Sequence, residues 1–113
     1  MSTAQAHSHS ADFTSLATHA GSMWRRFGAF NAAVLDGDTA LDKVTKELIA
    51  IGVALTTQCD GCLEAHSAAA VAAGATPEQL AETVHVAAAL RAGGAIVHGM
   101  RHVMPAATAA QDH

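Results

Sequence analysis

Two cysteines, a histidine and a carboxylate are spaced so that together they can do thiol chemistry. The run Cys59-Asp60-Gly61-Cys62-Leu63-Glu64-Ala65-His66 puts Cys62 and His66 four residues apart, on one face of any helix containing both, with Cys59 a turn before Cys62. At the start of such a helix, unpaired backbone amides and the positive end of the dipole favour a thiolate, the reactive form of cysteine. Positions three apart in a regular helix hold their Cβ atoms about 5–6 Å apart, wider than the roughly 3.5–4.5 Å of a disulfide. The first turn must therefore adjust if the pair is to cycle between dithiol and disulfide, and Gly61 eases that adjustment. Glu47 precedes Cys59 with eleven residues between them, and its helical neighbours Ala50, Ile51 and Ala54 are apolar. A carboxylate in that setting can bond His66 and orient it as the proton acceptor for Cys62. The simpler alternative is an exposed ion pair with Lys43, four residues earlier.

The elements that must position these groups are helical. Leu41, Val44, Leu48, Ile51 and Leu55 recur at intervals of 3, 4, 3 and 4, the stripe of an amphipathic helix that would carry Glu47. A helix is predicted over 59–73, ending at Gly74, a residue suited to the left-handed position after a helix. Thr76-Pro77-Glu78-Gln79 supplies an N-cap, a proline at the first helical position and a capping-box partner for a helix to about Arg91. Gly93-Gly94 is expected to break it, leaving 95–103 as a last helix. Upstream, 13–34 predicts one bent helix or two short ones, interrupted at Gly21 and Gly28, with Asp36-Gly37-Asp38 as a turn. The domain is placed at 12–104, between a flexible N-terminal segment 1–11 and a flexible C-terminal tail 105–113.

Composition agrees. Of 113 residues 28 are alanine, while Tyr is absent and there are three Phe and one Trp, so the aromatic and β-branched supply of a sandwich or barrel is missing. Alanine is the best helix former and lets helices approach closely, which predicts a single all-α domain. Its small area also predicts a thin core, so subunit contacts are expected to supply part of the missing burial. Around the dithiol and on the Glu47 face, alanines would let two helices bring carboxylate, imidazole and thiols together. A net charge of −4 makes nucleic acid a poor partner. Residues 1–11 lack the pattern of a signal peptide and the apolar runs are short, so a soluble cytoplasmic protein is expected, without a membrane partner. In that reducing compartment, Cys-x-x-Cys reads as redox-active or metal-binding rather than as a structural staple.

The combined pattern is more specific than its parts. Glu-x11-Cys-x-x-Cys-x-x-x-His, the Lys46-Glu47-Leu48-Ile49 start and the Gly-Ala-Thr-Pro-Glu-Gln cap at 74–79, within a stretch from Phe27 to His98, resemble the AhpD-like branch of the carboxymuconolactone decarboxylase family. The resemblance implies a compact all-helical subunit of about five or six helices, assembled as a trimer or hexamer. It implies a thiol-dependent hydroperoxide reductase, an antioxidant enzyme, in which Cys62 attacks the peroxide, His66 and Glu47 relay the proton, and Cys59 closes a Cys59-Cys62 disulfide. An external dithiol, a dihydrolipoyl or thioredoxin-like protein, would then reduce it. The implied chemistry needs no metal or organic cofactor. In the longer AhpD proteins a histidine directly precedes the second cysteine, whereas this chain has Gly61 there.

Three other functions compete. Lactone decarboxylation names the family, but those enzymes lack the cysteine pair. Zinc could bind Cys59, Cys62 and His66 with His85, His98 or His102 as a fourth ligand. A non-catalytic module could use the dithiol only to switch subunit contacts. His98 and His102 otherwise read as an ordinary polar face, and His85 as a hydrogen-bonded core or interface residue. Trp24, Phe27 and Phe30 read as core or interface anchors, or as the wall of an apolar substrate pocket. Asp60 is expected to help cap the cysteine helix.

Overall fold

A computed structural model describes residues 13–111, so the segment 1–11 lies outside the described residues. Six helices and no strand occur among them: α1 (Thr14–His19), α2 (Gly21–Asp36), α3 (Lys43–Thr57), α4 (Asp60–Ala72), α5 (Pro77–His102) and α6 (Met104–Gln111). The domain is all-α, as the composition requires. The stretch 13–34 resolves into two helices broken at Ala20, and Gly28 sits inside α2 without interrupting it.

Helix α3 is the hub. It packs against both α4 and α5, while α1 and α2 form a hairpin that touches α3 more sparingly. Its start is set by Asp42, whose carboxylate accepts from the Thr45 amide at 2.8 Å, the usual way an N-cap satisfies an orphan donor. Its end is set by Gln58, which takes the left-handed conformation at φ 55°. That residue and Cys59 turn the chain, so α4 runs back along α3. Gly74 adopts φ 105° after α4, and Thr76 and Gln79 close the expected capping box at the start of α5.

The break expected at Gly93-Gly94 does not form, and α5 runs unbroken through both residues. Each glycine costs a helix about 1 kcal/mol relative to alanine, too little to stop one flanked by good helix formers. The separate helix predicted over 95–103 is thus mainly the second half of α5. Met104–Gln111 is helical as well, where a loose tail was expected; Pro105 stands in its first turn, where a missing amide is tolerated. The stretch 77–111 is long and apolar enough to cross a membrane by length and composition. The first half of α5, however, packs on α3 with Ala87 buried, and the stretch carries Glu78, Glu82, Arg91 and Arg101.

The buried set is small: Ile51, Ala54, Ala70 and Ala87, together with Glu47. Three of the four apolar members are alanines, so α3 approaches its neighbours over small side chains. Ala70 is completely buried and lies one turn beyond His66 on the same helix face. Ala70→Leu should therefore force the helices apart and cost about 1–3 kcal/mol by overpacking, read as a lower urea midpoint with an unchanged m-value.

Candidate active site

Glu47 falls in line with Ile51 and Ala54 along α3, and that line is buried. The carboxylate is only 1 % exposed and both its oxygens are engaged. Oε2 accepts from His66 Nδ1 at 2.8 Å, and Oε1 pairs with Lys43 Nζ at 3.1 Å. The ion pair and the relay, alternatives in the sequence, coexist because a carboxylate offers two acceptors. Lys43 Nζ also donates to Asp36 Oδ1 and to the Leu35 carbonyl, each at 3.1 Å, and Lys46 Nζ donates to the Gly37 carbonyl at 3.1 Å. The end of α2 is thereby tied to the start of α3.

Burial pushes the Glu47 carboxyl up, but the hydrogen bonds from His66 and Lys43, together with the Lys43 charge, outweigh it and hold the group below its ordinary value. Glu47 is therefore ionised at neutral pH, and an ionised acceptor fixes the proton of a neutral His66 on Nδ1. Nε2 is then the basic nitrogen of an imidazole that lines the adjoining cleft.

Cys59 and Cys62 are joined as a disulfide, with Cα atoms 5.2 Å apart. Cys59 lies just outside α4, at its N-cap, with extended backbone (φ −93°, ψ 96°), and its Sγ accepts from the Cys62 amide at 3.4 Å. The bond closes because one partner has left the helical conformation, so α4 itself does not have to unwind as the helical spacing suggested. The capping role expected of Asp60 belongs to the Cys59 sulfur, and Asp60 occupies the first turn.

The disulfide and His66 open onto a cleft of about 970 Å³ whose other side is made by Phe13, Trp24, Phe27, Gly28 and Asn31. Phe13 stacks on Trp24 with centroids 4.9 Å apart, and Trp24 and Phe27 lie 5.7 Å apart. Phe30, grouped with these aromatics in the sequence, is 66 % exposed and does not line the cleft. Phe13 and Asn31 join it only through the return of the α1–α2 hairpin, which packs on α3 and faces α4 across the cleft. A second groove, between α3 and α5, is lined by Leu48, Ile49, Val53, Val86 and Leu90 among others and holds no cysteine or histidine.

His85, His98 and His102 do not line the cleft over the dithiol. His98 and His102 meet each other edge to face at 5.5 Å. His85 is exposed rather than buried and donates from Nδ1 to the Ala81 carbonyl at 2.8 Å. Among the described residues, no three His, Cys, Asp or Glu side chains converge as a metal site would require.

Glu47 also makes stability depend on pH. Its folded value lies below the unfolded one, so its contribution is full above about pH 4.5 and is lost as pH falls through the folded value. In Glu47→Gln that contribution is absent at every pH. Urea midpoints of the two proteins should differ most near neutrality and converge towards pH 3.

The chain is similar to several known proteins. A protein of Paracoccus denitrificans named "Uncharacterized protein 4 in cox locus" is 52 % identical over 65 residues, covering 58 % of this chain and 59 % of its own. An uncharacterised protein of Haemophilus influenzae is 44 % identical over 45 residues, covering 40 % of this chain and 39 % of its own. One of Cupriavidus necator is 41 % identical over 59 residues, covering 52 % and 50 %. The chain spans less than two thirds of the length of these relatives. The carboxymuconolactone decarboxylase family matches residues 22–103, from the first turn of α2 to the end of α5. That span holds Glu47, Lys43, both cysteines and His66, and the chain belongs to the carboxymuconolactone decarboxylase family.

Proposed function

We propose that this chain is a thiol-dependent hydroperoxide reductase of the AhpD-like branch, cycling Cys59 and Cys62 between dithiol and disulfide. The observation that carries this reading is the 2.8 Å bond from His66 Nδ1 to a buried, ionised Glu47, in a residue that shares its cleft with the cysteines. In the reduced enzyme His66 Nε2 takes the proton of Cys62, and the thiolate attacks the peroxide. The sulfur gains the terminal oxygen as a sulfenic acid, the O–O bond breaks, and the departing alkoxide takes the proton back from His66. Cys59 then attacks the sulfenic sulfur, closing the disulfide and releasing water. Its place at the helix cap, facing the Cys62 amide, favours the Cys59 thiolate for this step. An external dithiol of the dihydrolipoyl or thioredoxin type restores the dithiol, which suits a reducing, cytoplasmic setting.

Charge speaks against lactone decarboxylation. Its substrate must carry a carboxylate, yet among the described residues no Lys or Arg lines the cleft, and an anion buried without a partner is heavily penalised.

Assembly into a homo-oligomer, a trimer or hexamer, belongs to the same proposal. Leu90, Ile96 and Met100 along α5 and Val103 at its C-cap are all exposed.

Peroxide consumption with a dithiol donor tests the reaction. Cys62→Ser should abolish turnover, while Cys59→Ser should stall with a sulfenic acid that dimedone traps; normal turnover in Cys62→Ser rejects the mechanism. Replacing His66 by Asn should move the alkylation-rate profile of the Cys62 thiol to higher pH. Sedimentation should find oligomers at micromolar concentration, and a monomer alone rejects the assembly.

A further inference from the structure

The cleft over the dithiol is larger and more apolar than a peroxide bond alone requires. Its volume is about 970 Å³, at the upper end of the roughly 300–1,000 Å³ that suits a drug-sized ligand. Hydrogen peroxide is scarcely larger than water, which occupies about 30 Å³ in the liquid. Across from the sulfurs stand Trp24 and Phe27, with Phe13 stacked on Trp24, three rings forming one continuous surface. Phe13 and Phe27 remain 49 % and 54 % exposed, so much of that aromatic surface faces the opening instead of a core.

Among the described residues, no lysine or arginine lines the cleft. A ligand with a carboxylate would lose hydration there without gaining a cation in return, whereas a neutral apolar ligand would not meet that cost.

We infer that the Trp24–Phe27 wall binds the uncharged apolar body of a bulky organic hydroperoxide, best an aralkyl one, and holds its O–O bond over the dithiol. Trp24 and Phe27 are then specificity-determining residues. They favour such substrates over hydrogen peroxide, which has no body to bury, and over hydroperoxides carrying a carboxylate. The inference rests on the hydroperoxide reductase reading for its chemistry. Cys62 takes the terminal oxygen as a sulfenic acid, the O–O bond breaks, and the alkoxide leaves as the alcohol with the proton His66 had taken from Cys62. That alcohol keeps the apolar body, so it is an unreactive ligand for the same wall.

Trp24 is the chain's one tryptophan, which lets its fluorescence report binding. The disulfide form is titrated with cumyl alcohol, the product of cumene hydroperoxide, and with benzoate. A saturable change with the alcohol is expected, at least about tenfold weaker with benzoate and lost in Phe27→Ala. In turnover, Trp24→Ala and Phe27→Ala should each lower kcat/KM for cumene hydroperoxide about tenfold, mainly through KM. The value for hydrogen peroxide should stay within about twofold, since it never used the wall. No saturable response to the alcohol, an equal response to benzoate, or equal losses with both peroxides would overturn the inference. Because alcohol binding needs no turnover, the two readings fail separately: binding without activity towards any hydroperoxide rejects the reductase, and activity without binding rejects the wall.

Discussion

A carboxylate buried to 1 % exposure is the constraint around which the domain is arranged. A charge removed from water is tolerable only if each oxygen finds a donor, and Glu47 finds His66 on one side and Lys43 on the other. The first contact fixes α4 against α3 and sets the His66 tautomer. The second draws in Asp36 and the Leu35 carbonyl, and so the end of α2. One acidic side chain thus holds together three helices that have few large apolar residues to bind them.

The alanine content makes this possible and also limits it. Close approach of α3 to its neighbours over Ala54, Ala70 and Ala87 brings a short glutamate side chain within reach of an imidazole on another helix. The same small residues bury little area, which leaves a thin core and apolar residues exposed along α5. Hydrophobic surface on one side of the fold and a polar network on the other therefore have a common origin in side-chain size. The network supplies the orientation that so small a core cannot.

At the dithiol, backbone conformation matters more than helix periodicity. Gln58 in the left-handed region ends α3 without a glycine and hands the chain to Cys59 in an extended conformation. A sulfur at an N-cap meets the amide of the residue three ahead, so capping and disulfide closure use the same atom. In the proposed cycle two different groups activate the thiols, the helix start for Cys59 and the imidazole that shares the cleft for Cys62.

The helical class, the hub helix with its stripe, the capping box at Thr76 and the set Glu47, Cys59, Cys62 and His66 were all legible in the sequence. Each is written in local spacing, where covalent geometry leaves few alternatives. The Gly93-Gly94 break was misread because local propensity is weak: two glycines did not outweigh the helix formers around them. What lay beyond the sequence were relations between distant elements. These include the sharing of one carboxylate between Lys43 and His66, the capping role of Cys59 in place of Asp60, and the folding of Phe13 and Asn31 across from the disulfide. They depend on how closely two helices pack and at what angle a hairpin returns. Those quantities are set by the sum of many small contacts and by the need to satisfy a buried charge, and no window of the chain contains them.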